Sequence, residues 1–75
     1  MLINGIEYGI QFASDMNPRD GLGLECCINN VPILEIFRDD ENKRYVVNLF
    51  QQDVPLEVLE ALIPTARAEL GDFLP

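Results

Sequence analysis

The sequence has no histidine and no tryptophan, and its only serine is Ser14. Because histidine is the commonest general base and metal ligand, its absence excludes sites in which it activates a serine or cysteine nucleophile. The glycines form neither of the glycine-rich patterns that are typical of phosphate-binding loops. We therefore predict no catalytic residue, no cofactor and no metal site, and we predict that the protein is not an enzyme.

Basic residues are also scarce, with five lysines and arginines against 13 acidic residues and a formal net charge of −8 at pH 7. This charge repels nucleic-acid phosphates and an anionic membrane surface. No apolar run approaches the roughly 18 residues that a membrane-spanning helix needs. We therefore predict that the protein binds neither nucleic acid nor a membrane. The charge suits either solubility or a basic protein partner.

The two cysteines, Cys26 and Cys27, are adjacent and form no CxxC motif. Neighbouring residues of a strand point to opposite faces, so a disulfide between them would need a distorted backbone. We expect two free thiols, which are typical of a reducing compartment. Residues 1–5 also lack the basic segment and the apolar run of a signal peptide. These features together predict a cytoplasmic protein.

What the sequence does have is material for one small core. It has 75 residues, of which 48% are hydrophobic, and this length is enough for a single domain spanning residues 1–75. A domain of this size buries only about 60% of the surface of its unfolded chain. Its large apolar residues are therefore needed inside.

Alternating apolar and polar residues predict four strands, at about 2–12, 22–28, 32–38 and 44–50. Asn4-Gly5 is a typical hairpin dipeptide, but only three residues precede it. We therefore interpret it as a bend or bulge within the first strand, in preference to a separate short hairpin. Asn29-Asn30 predicts a tight turn between the second and third strands, because asparagine tolerates positive φ angles.

A polar turn joins the third and fourth predicted strands. Pairing Asp39 with Arg44 leaves a four-residue loop, a common hairpin length. This register keeps the face that carries Leu34 and Ile36 wholly apolar, whereas a one-residue slip would place Glu35 on it. The register predicts these opposed pairs: Arg38 with Tyr45, Phe37 with Val46, Ile36 with Val47, Glu35 with Asn48, Leu34 with Leu49, and Ile33 with Phe50.

Apolar residues spaced by three and four predict a helix at about 55–70, followed by a short tail at 71–75. Pro55 suits the first helical turn, and Gly71 suits the position just after the last turn. Pro64 removes one main-chain hydrogen bond, so we expect the helix to be kinked or broken near it. The predicted apolar stripe consists of Leu56, Leu59, Ile63, Ala66 and Leu70.

Four short strands with tight connections favour an antiparallel meander. A single C-terminal helix on one sheet face then gives a two-layer α+β domain of the order ββββα. We expect the helix to cover the face formed by Ile6, Tyr8, Ile10, Phe12, Leu22, Leu24, Cys26, Ile28, Leu34, Ile36, Val47 and Leu49.

Four large apolar residues fall on the opposite face of the predicted sheet: Ile33, Phe37, Val46 and Phe50. No second helix is predicted to cover them, and a clustered apolar patch indicates a protein contact surface. The simplest such contact is a homodimer through this face. The alternatives are that the C-terminal tail or the loop at 14–21 folds over the four side chains, or that the register differs.

Asp39, Asp40 and Glu41 form an acidic turn that we predict steers a basic partner towards the protein. Our leading hypothesis is a small acidic protein-interaction module. One form of it is an inhibitor or immunity-type protein whose carboxylates occupy a basic site on the target. The alternative is a structural homodimer or a subunit of a larger assembly, and an enzyme is the least favoured of the three.

Overall fold

The computed structural model of the chain describes residues 1–15 and 20–75. Its elements are β1 (Leu2–Ile3), β2 (Ile6–Glu7), β3 (Gly9–Asp15), β4 (Gly21–Ile28), β5 (Val31–Asp39), β6 (Arg44–Leu49) and α1 (Leu56–Leu70). The four longer strands form an antiparallel sheet in the order β3-β4-β5-β6, and β1 pairs with β2 in a small separate sheet. α1 packs against the larger sheet. The predicted α+β fold, a four-stranded meander followed by one C-terminal helix, is confirmed.

Tight turns form where asparagine and glycine adopt positive φ angles. Asn4 and Gly5 have φ angles of 51° and 80° and join β1 to β2. The expected continuous first strand is therefore wrong, and the separate short hairpin forms despite its two-residue arms. Asn29 and Asn30, with φ angles of 51° and 66°, form the predicted turn between β4 and β5. In both turns the left-handed conformation matches the twist of the strands that it joins.

The pairing of β5 with β6 follows the predicted register. The observed pairs are Leu34 with Leu49, Glu35 with Asn48, Ile36 with Val47, Phe37 with Val46, Arg38 with Tyr45, and Asp39 with Arg44. Ile33 and Phe50 are not a ladder pair because β6 ends at Leu49, although the Phe50 main-chain N–H donates to the Ile33 carbonyl oxygen at 2.9 Å.

A bulge interrupts the pairing of β4 with β5. Cys26 pairs with Leu34, and the next residue, Cys27, pairs with Pro32. Ile33 therefore has no partner on β4. Bulges re-aim side chains, and Ile33 is buried in the core under α1 instead of lying on the opposite sheet face.

α1 buries a different stripe from the predicted one. Its buried residues are Val58, Leu62, Ala66 and Leu70, which are spaced by four residues along one side of the helix. Ala66 and Leu70 were predicted correctly, but Leu56 and Ile63 are exposed and Leu59 is only partly buried. The helix is rotated so that these three residues face one margin of the sheet.

α1 is continuous across Pro64, so the break considered there does not occur. Pro64 is exposed, and water can reach the carbonyl group that its missing N–H leaves free. Gly71 follows the helix with a φ angle of 70°, and its N–H donates to the Arg67 carbonyl oxygen at 3.2 Å. This is the helix end that the sequence predicts.

One helix covers only the middle of the sheet. α1 packs on β4 and β5, the two central strands. An α-helix is about 10 Å wide, whereas neighbouring strands are about 4.8 Å apart, so one helix shields about two strands. The prediction that the helix covers this whole face is therefore wrong at both margins. The exposed residues are Ile10 and Phe12 on β3, Val47 and Leu49 on β6, and Ile6 in the β1–β2 hairpin.

Candidate functional site

The exposed four-residue patch predicted on the second sheet face does not form. Ile33 belongs to the main core, and Phe37 is only 3% exposed. Val46 is half-buried, and Phe50 is 55% exposed just beyond the end of β6. The structure brings Phe37 and Val46 together as a cross-strand pair, but two of the four predicted contact residues lie inside the protein. This face therefore lacks the patch on which the predicted homodimer contact was based.

Glycines on β4 explain why Phe37 is buried. Gly23 lies directly opposite Phe37 in the β4–β5 register. A Cβ atom at Gly21 would lie 2.6 Å from Phe37 Cζ, so the ring lies over this glycine. The phenyl ring thus fills space that side chains on β4 would otherwise occupy, and it is shielded by its own sheet.

A row of polar side chains crosses the same face, in the order Gln11, Glu25, Glu35 and Asn48. Gln11 Nε2 donates to Glu25 Oε1 at 2.6 Å, and Asn48 Nδ2 donates to Glu35 Oε1 at 3.0 Å. Glu25 and Glu35, on the two central strands, thus each accept an amide hydrogen bond from an outer strand. These hydrogen bonds link β3 to β4 and β5 to β6 on the face that lacks a helix.

Asp40, from the predicted acidic turn, is enclosed by the protein. Arg38 Nε donates to Asp40 Oδ1 at 2.9 Å, and Arg38 Nη2 donates to Asp40 Oδ2 at 3.1 Å. Arg38 Nη1 donates to the Leu70 carbonyl oxygen, and the Leu74 N–H donates to Asp40 Oδ1 at 3.0 Å. Burial raises the pKa of the Asp40 carboxyl, but the Leu74 and Arg38 hydrogen bonds outweigh it, and the pKa lies below its ordinary value. Asp40 therefore joins the turn to the helix end and the tail.

Asp39 organises the turn itself. Its carboxylate accepts the Asn42 side-chain amide at 2.9 Å, the Asn42 main-chain N–H at 3.2 Å and Arg44 Nε at 3.2 Å. The hydrogen bond from the Asn42 side chain is the largest cause that lowers the pKa of the Asp39 carboxyl. Only Glu41 of the three predicted steering carboxylates is exposed. Asp39 and Asp40, which were predicted as protein-contact residues, are buried and make their hydrogen bonds within the fold.

The C-terminal tail packs beside Tyr45. The ring centres of Tyr45 and Phe73 are 5.5 Å apart, and the Tyr45 hydroxyl donates to the Gly71 carbonyl oxygen. Tyr45 lies on the helix face of β6, so the tail closes one end of the helix layer and does not cover the second sheet face. Residues 16–19, in the loop considered for the same role, lie outside the described residues.

The exposed apolar residues of β6 and α1 line a groove on the helix face, which we call the β6–α1 groove. Its volume is about 200 Å³, and it is lined by Ile36, Tyr45, Val47, Ile63, Ala66 and Arg67. Val47 is 45% exposed and Ile63 is 39% exposed. The Arg67 guanidinium carbon lies 5.4 Å from the centre of the Tyr45 ring and closes one end of the groove.

Leu49 and Leu59 extend this apolar surface towards the start of α1. Val47 and Ile63 flank the groove, and the strand and the helix run in opposite directions from them. Leu49 is the next residue on the same face of β6, about 6.8 Å beyond Val47, and Leu59 is about 6 Å from Ile63 along the same side of α1. Leu56, which is also exposed, follows at the first helical position.

Exposed carboxylates flank the start of α1, at Asp53, Glu57 and Glu60. The basic side chains of the described chain make their contacts elsewhere: Arg38 with Asp40, Lys43 with the Leu74 carbonyl oxygen, Arg44 with Asp39, and Arg67 with the Tyr45 ring. These cations therefore do little to neutralise the start of α1. The described residues around the start of α1 therefore carry an excess of carboxylates over cations.

The described groups that are typical of catalysis or metal binding have structural roles here. Cys26 and Cys27 are free and buried, and burial raises the pKa of both thiols. A depression of about 280 Å³ on the second sheet face includes Asp39, whose carboxyl stays ionised at neutral pH and holds the turn. Within residues 1–15 and 20–75, no group of three or more metal-ligating side chains is placed to hold an ion.

The sequence prediction missed the β6–α1 groove because it assigned Val47, Leu49 and Ile63 to the core. The numbers of predicted strands and helices already indicated that such residues would be exposed. One helix has the width of two strands, and four strands are predicted, so two strands remain uncovered on the helix face. Exposed apolar side chains could therefore have been predicted on β6, the edge strand that comes just before the helix.

Comparison of the chain with known protein families, with characterised proteins and with solved structures gave no match. In the part of the chain that the structure describes, α1 is neither long enough nor apolar enough to cross a membrane.

Proposed function

We propose that this chain is a small, acidic, non-catalytic protein-interaction module that binds a basic protein through the β6–α1 groove. The observation that carries the proposal is the combination of exposed Val47, Leu49 and Ile63 with carboxylates at the open end of the groove. A chain of this length has few large apolar residues to spare from its core. Apolar anchors within a charged rim are the usual composition of a protein contact surface.

The charge distribution supports a basic partner. Asp53, Glu57 and Glu60 attract cationic side chains, while the apolar residues beside them exclude water and strengthen that attraction. Blocking of a basic site on a target, as inhibitors and immunity-type proteins do, is one form of this function. Of the acidic turn, only Glu41 is placed to contribute to steering.

Quantitative capture tests the proposal. The full chain is immobilised, and proteins captured from a lysate of the producing cells are measured by mass spectrometry at low and high salt. We expect Ile63→Ser to lower the capture of a specific partner roughly tenfold, because it removes an apolar anchor. The control is Ile10→Ser, which changes a residue with the same 39% exposure at the opposite edge of the sheet and leaves capture unchanged.

A pair of charge reversals tests the role of the carboxylates. Glu57→Lys with Glu60→Lys changes the net charge by the same amount as Glu69→Lys with Asp72→Lys, and all four side chains are exposed. We expect only the first pair to reduce capture strongly at low salt. Equal losses with both pairs, or no loss with Ile63→Ser, would show that the groove is not the binding surface.

A structural homodimer is the second candidate function. The observation that favours it is the position of β6 at the edge of the sheet, where its outer main-chain groups can pair with another strand. Both functions are compatible, because edge pairing uses main-chain groups and the groove lies on the face of the sheet.

The free, buried thiols of Cys26 and Cys27 fit a reducing compartment, and we propose that the protein acts in the cytoplasm. Oxidation state in the cell, measured by thiol trapping before lysis, tests this location. Two free thiols are expected, and a disulfide-linked form would contradict the proposal.

A further inference from the structure

We infer that two copies of this chain pair through the outer edges of their β6 strands, antiparallel and centred on Val47. The inference rests on the proposed function in one respect only, namely that the β6 margin is a protein contact surface. To the homodimer that is the second candidate function it adds the direction and the register of the strand pairing.

The outer edge of β6 is open in the described part of the chain, since β6 is the last strand of the sheet and pairs only with β5. The Phe50 N–H points towards β5, because it donates to the Ile33 carbonyl oxygen. Main-chain direction alternates along an antiparallel strand. Asn48, Val46 and Arg44 therefore also point their main-chain groups inwards, to β5.

By the same alternation, Tyr45, Val47 and Leu49 point their N–H and C=O groups outwards. Two β6 strands related by a twofold axis at Val47 place Val47 opposite Val47 of the second copy and Tyr45 opposite Leu49. All three outward residues of each strand then form hydrogen-bonded pairs. Centring the axis on Val46 or Asn48 instead leaves one outward residue per strand without a partner in the other β6. The open edge is thus complementary to itself in one register.

The side chains of β6 agree with this register. It pairs Val46 with Asn48 and Arg44 with Phe50 on the second sheet face, so no like charges are opposed. Exposed edge strands usually carry charges or proline that prevent pairing, but five of the six residues of β6 are uncharged and none is proline. Within β6 only Arg44, at its first position, is such a feature.

The charges at the two ends of β6 favour the antiparallel direction. Lys43 and Arg44 lie at its start, and Asp53 and Glu57 follow its end. A parallel pair would oppose Arg44 with itself, whereas an antiparallel pair separates the two Arg44 side chains. The Arg44 side chain is 64% exposed, and its Nε pairs with Asp39 of its own chain at 3.2 Å.

Dimerisation would enlarge the binding surface of the proposed function. Tyr45, Val47 and Leu49 of both strands lie on the helix face, so the two β6–α1 grooves would open onto one continuous apolar floor. Each half would keep its own carboxylates at the start of α1. The general repulsion between two chains of charge −8 weakens the pair at low ionic strength, so added salt is expected to strengthen it.

Sedimentation of the full chain across a dilution series tests the pairing. We expect a dimer that dissociates on dilution, and we expect Val47→Lys to raise its dissociation constant at least roughly tenfold, because two lysines would then oppose each other. The control is Phe12→Lys, in the same cross-strand row but on the opposite outer strand. It is expected to leave the dissociation constant unchanged.

Single-cysteine crosslinking tests the register. Val47→Cys is expected to form a disulfide-linked dimer on mild oxidation, while Leu49→Cys and Phe12→Cys are not, because neither residue meets itself across the axis. Cys26 and Cys27 are buried and remain unreactive under these conditions. Crosslinking through Phe12→Cys, or equal crosslinking at Val47→Cys and Leu49→Cys, would overturn the register.

The inference and the proposed function fail in different ways. A chain that is monomeric at all concentrations, yet captures a partner through Ile63, overturns the homodimer and leaves the function standing. A dimer that is unaffected by Val47→Lys overturns the inferred edge. A monomer whose capture does not depend on the β6–α1 groove overturns both.

Discussion

The turn between β5 and β6 and the β6–α1 groove are neighbours, but they differ in which kind of side chain is buried. The turn buries charged side chains, and the groove exposes apolar ones. At the turn, charged groups are enclosed, and Arg38 and Asp40 satisfy each other at 2.9 and 3.1 Å. In the groove, apolar Val47 and Ile63 are exposed. The acidic turn therefore serves the fold, and the apolar margin is the surface that we propose for contact with other molecules.

The comparison teaches that neighbours, and not residue type, decide the role of a side chain in so small a domain. Asp40 lies beside an arginine, a helix end and a tail that together exclude water, so its charge is used internally. Val47 has the residue type of a core position, but α1 is too narrow to reach it. Three pairs of substitutions and one acid titration test this difference, in order of the effect expected from the first change in each.

Arg38→Met is expected to reduce the free energy of unfolding by several times the loss for the control below, because it removes both Arg38 hydrogen bonds to the Asp40 carboxylate and the one to the Leu70 carbonyl oxygen, leaving Asp40 with the Leu74 N–H. The control is Arg44→Met, which removes the exposed ion pair with Asp39 and should cost no more than about 1 kcal/mol. Denaturant unfolding measures both. Similar losses for the two variants would show that the turn is not enclosed.

Leu62→Ala is expected to reduce the free energy of unfolding by about 2–5 kcal/mol, because it opens a cavity under α1. Ile63→Ala, at the next position, should cost less than about 1.5 kcal/mol because its side chain is already partly in water. Thermal unfolding of the two variants compares them directly. A larger loss for Ile63→Ala would place the predicted stripe, and not the observed one, on the sheet.

Acid is expected to destabilise the turn. The pKa values of Asp39 and Asp40 are lowered in the folded protein from an ordinary value of 3.8. Their contribution to stability is therefore complete above about pH 3.8 and is lost as the pH falls through the lower folded values. Unfolding measured from pH 7 to pH 2 should show this loss, and Asp40→Asn should reduce its steepness. If the free energy of unfolding of Asp40→Asn fell with pH as steeply as that of the unchanged protein, Asp40 would not be a source of the acid sensitivity.

Glu41→Lys is expected to change the free energy of unfolding by less than about 0.5 kcal/mol, because Glu41 is exposed. The same reversal at Asp40 places a second cation against Arg38 and should prevent stable folding. Circular dichroism separates the two outcomes. A folded Asp40→Lys variant as stable as Glu41→Lys would show that all three carboxylates of the turn are equivalent.

The fold was predictable because its signals are local. Asn29-Asn30 encodes a turn, alternation encodes the strands, and the chemistry of Asp39 and Arg44 fixes the register of β5 with β6. What failed depends on three-dimensional neighbours. The bulge that re-aims Ile33 and the glycines that bury Phe37 act across strands, and neither is visible in the alternation of one strand.

The candidate site was less predictable than the fold for a similar reason. Leu56, Leu59 and Ile63 form a helical stripe as regular as the buried one, so spacing alone does not choose between them. The choice depends on how the helix rotates over two central strands. Leu62 and Val58 occupy the buried row, and the other row is left beside β6.

Amide hydrogen exchange at Val46 and Val47 tests the central claim most directly, because these neighbours point their N–H groups to opposite sides of β6. We predict that the Val46 amide, which faces β5, is protected at every protein concentration. The Val47 amide should exchange rapidly in dilute solution and become protected as the concentration rises. Protection of Val47 that is the same at all concentrations would contradict the account of β6 as an open, self-pairing edge.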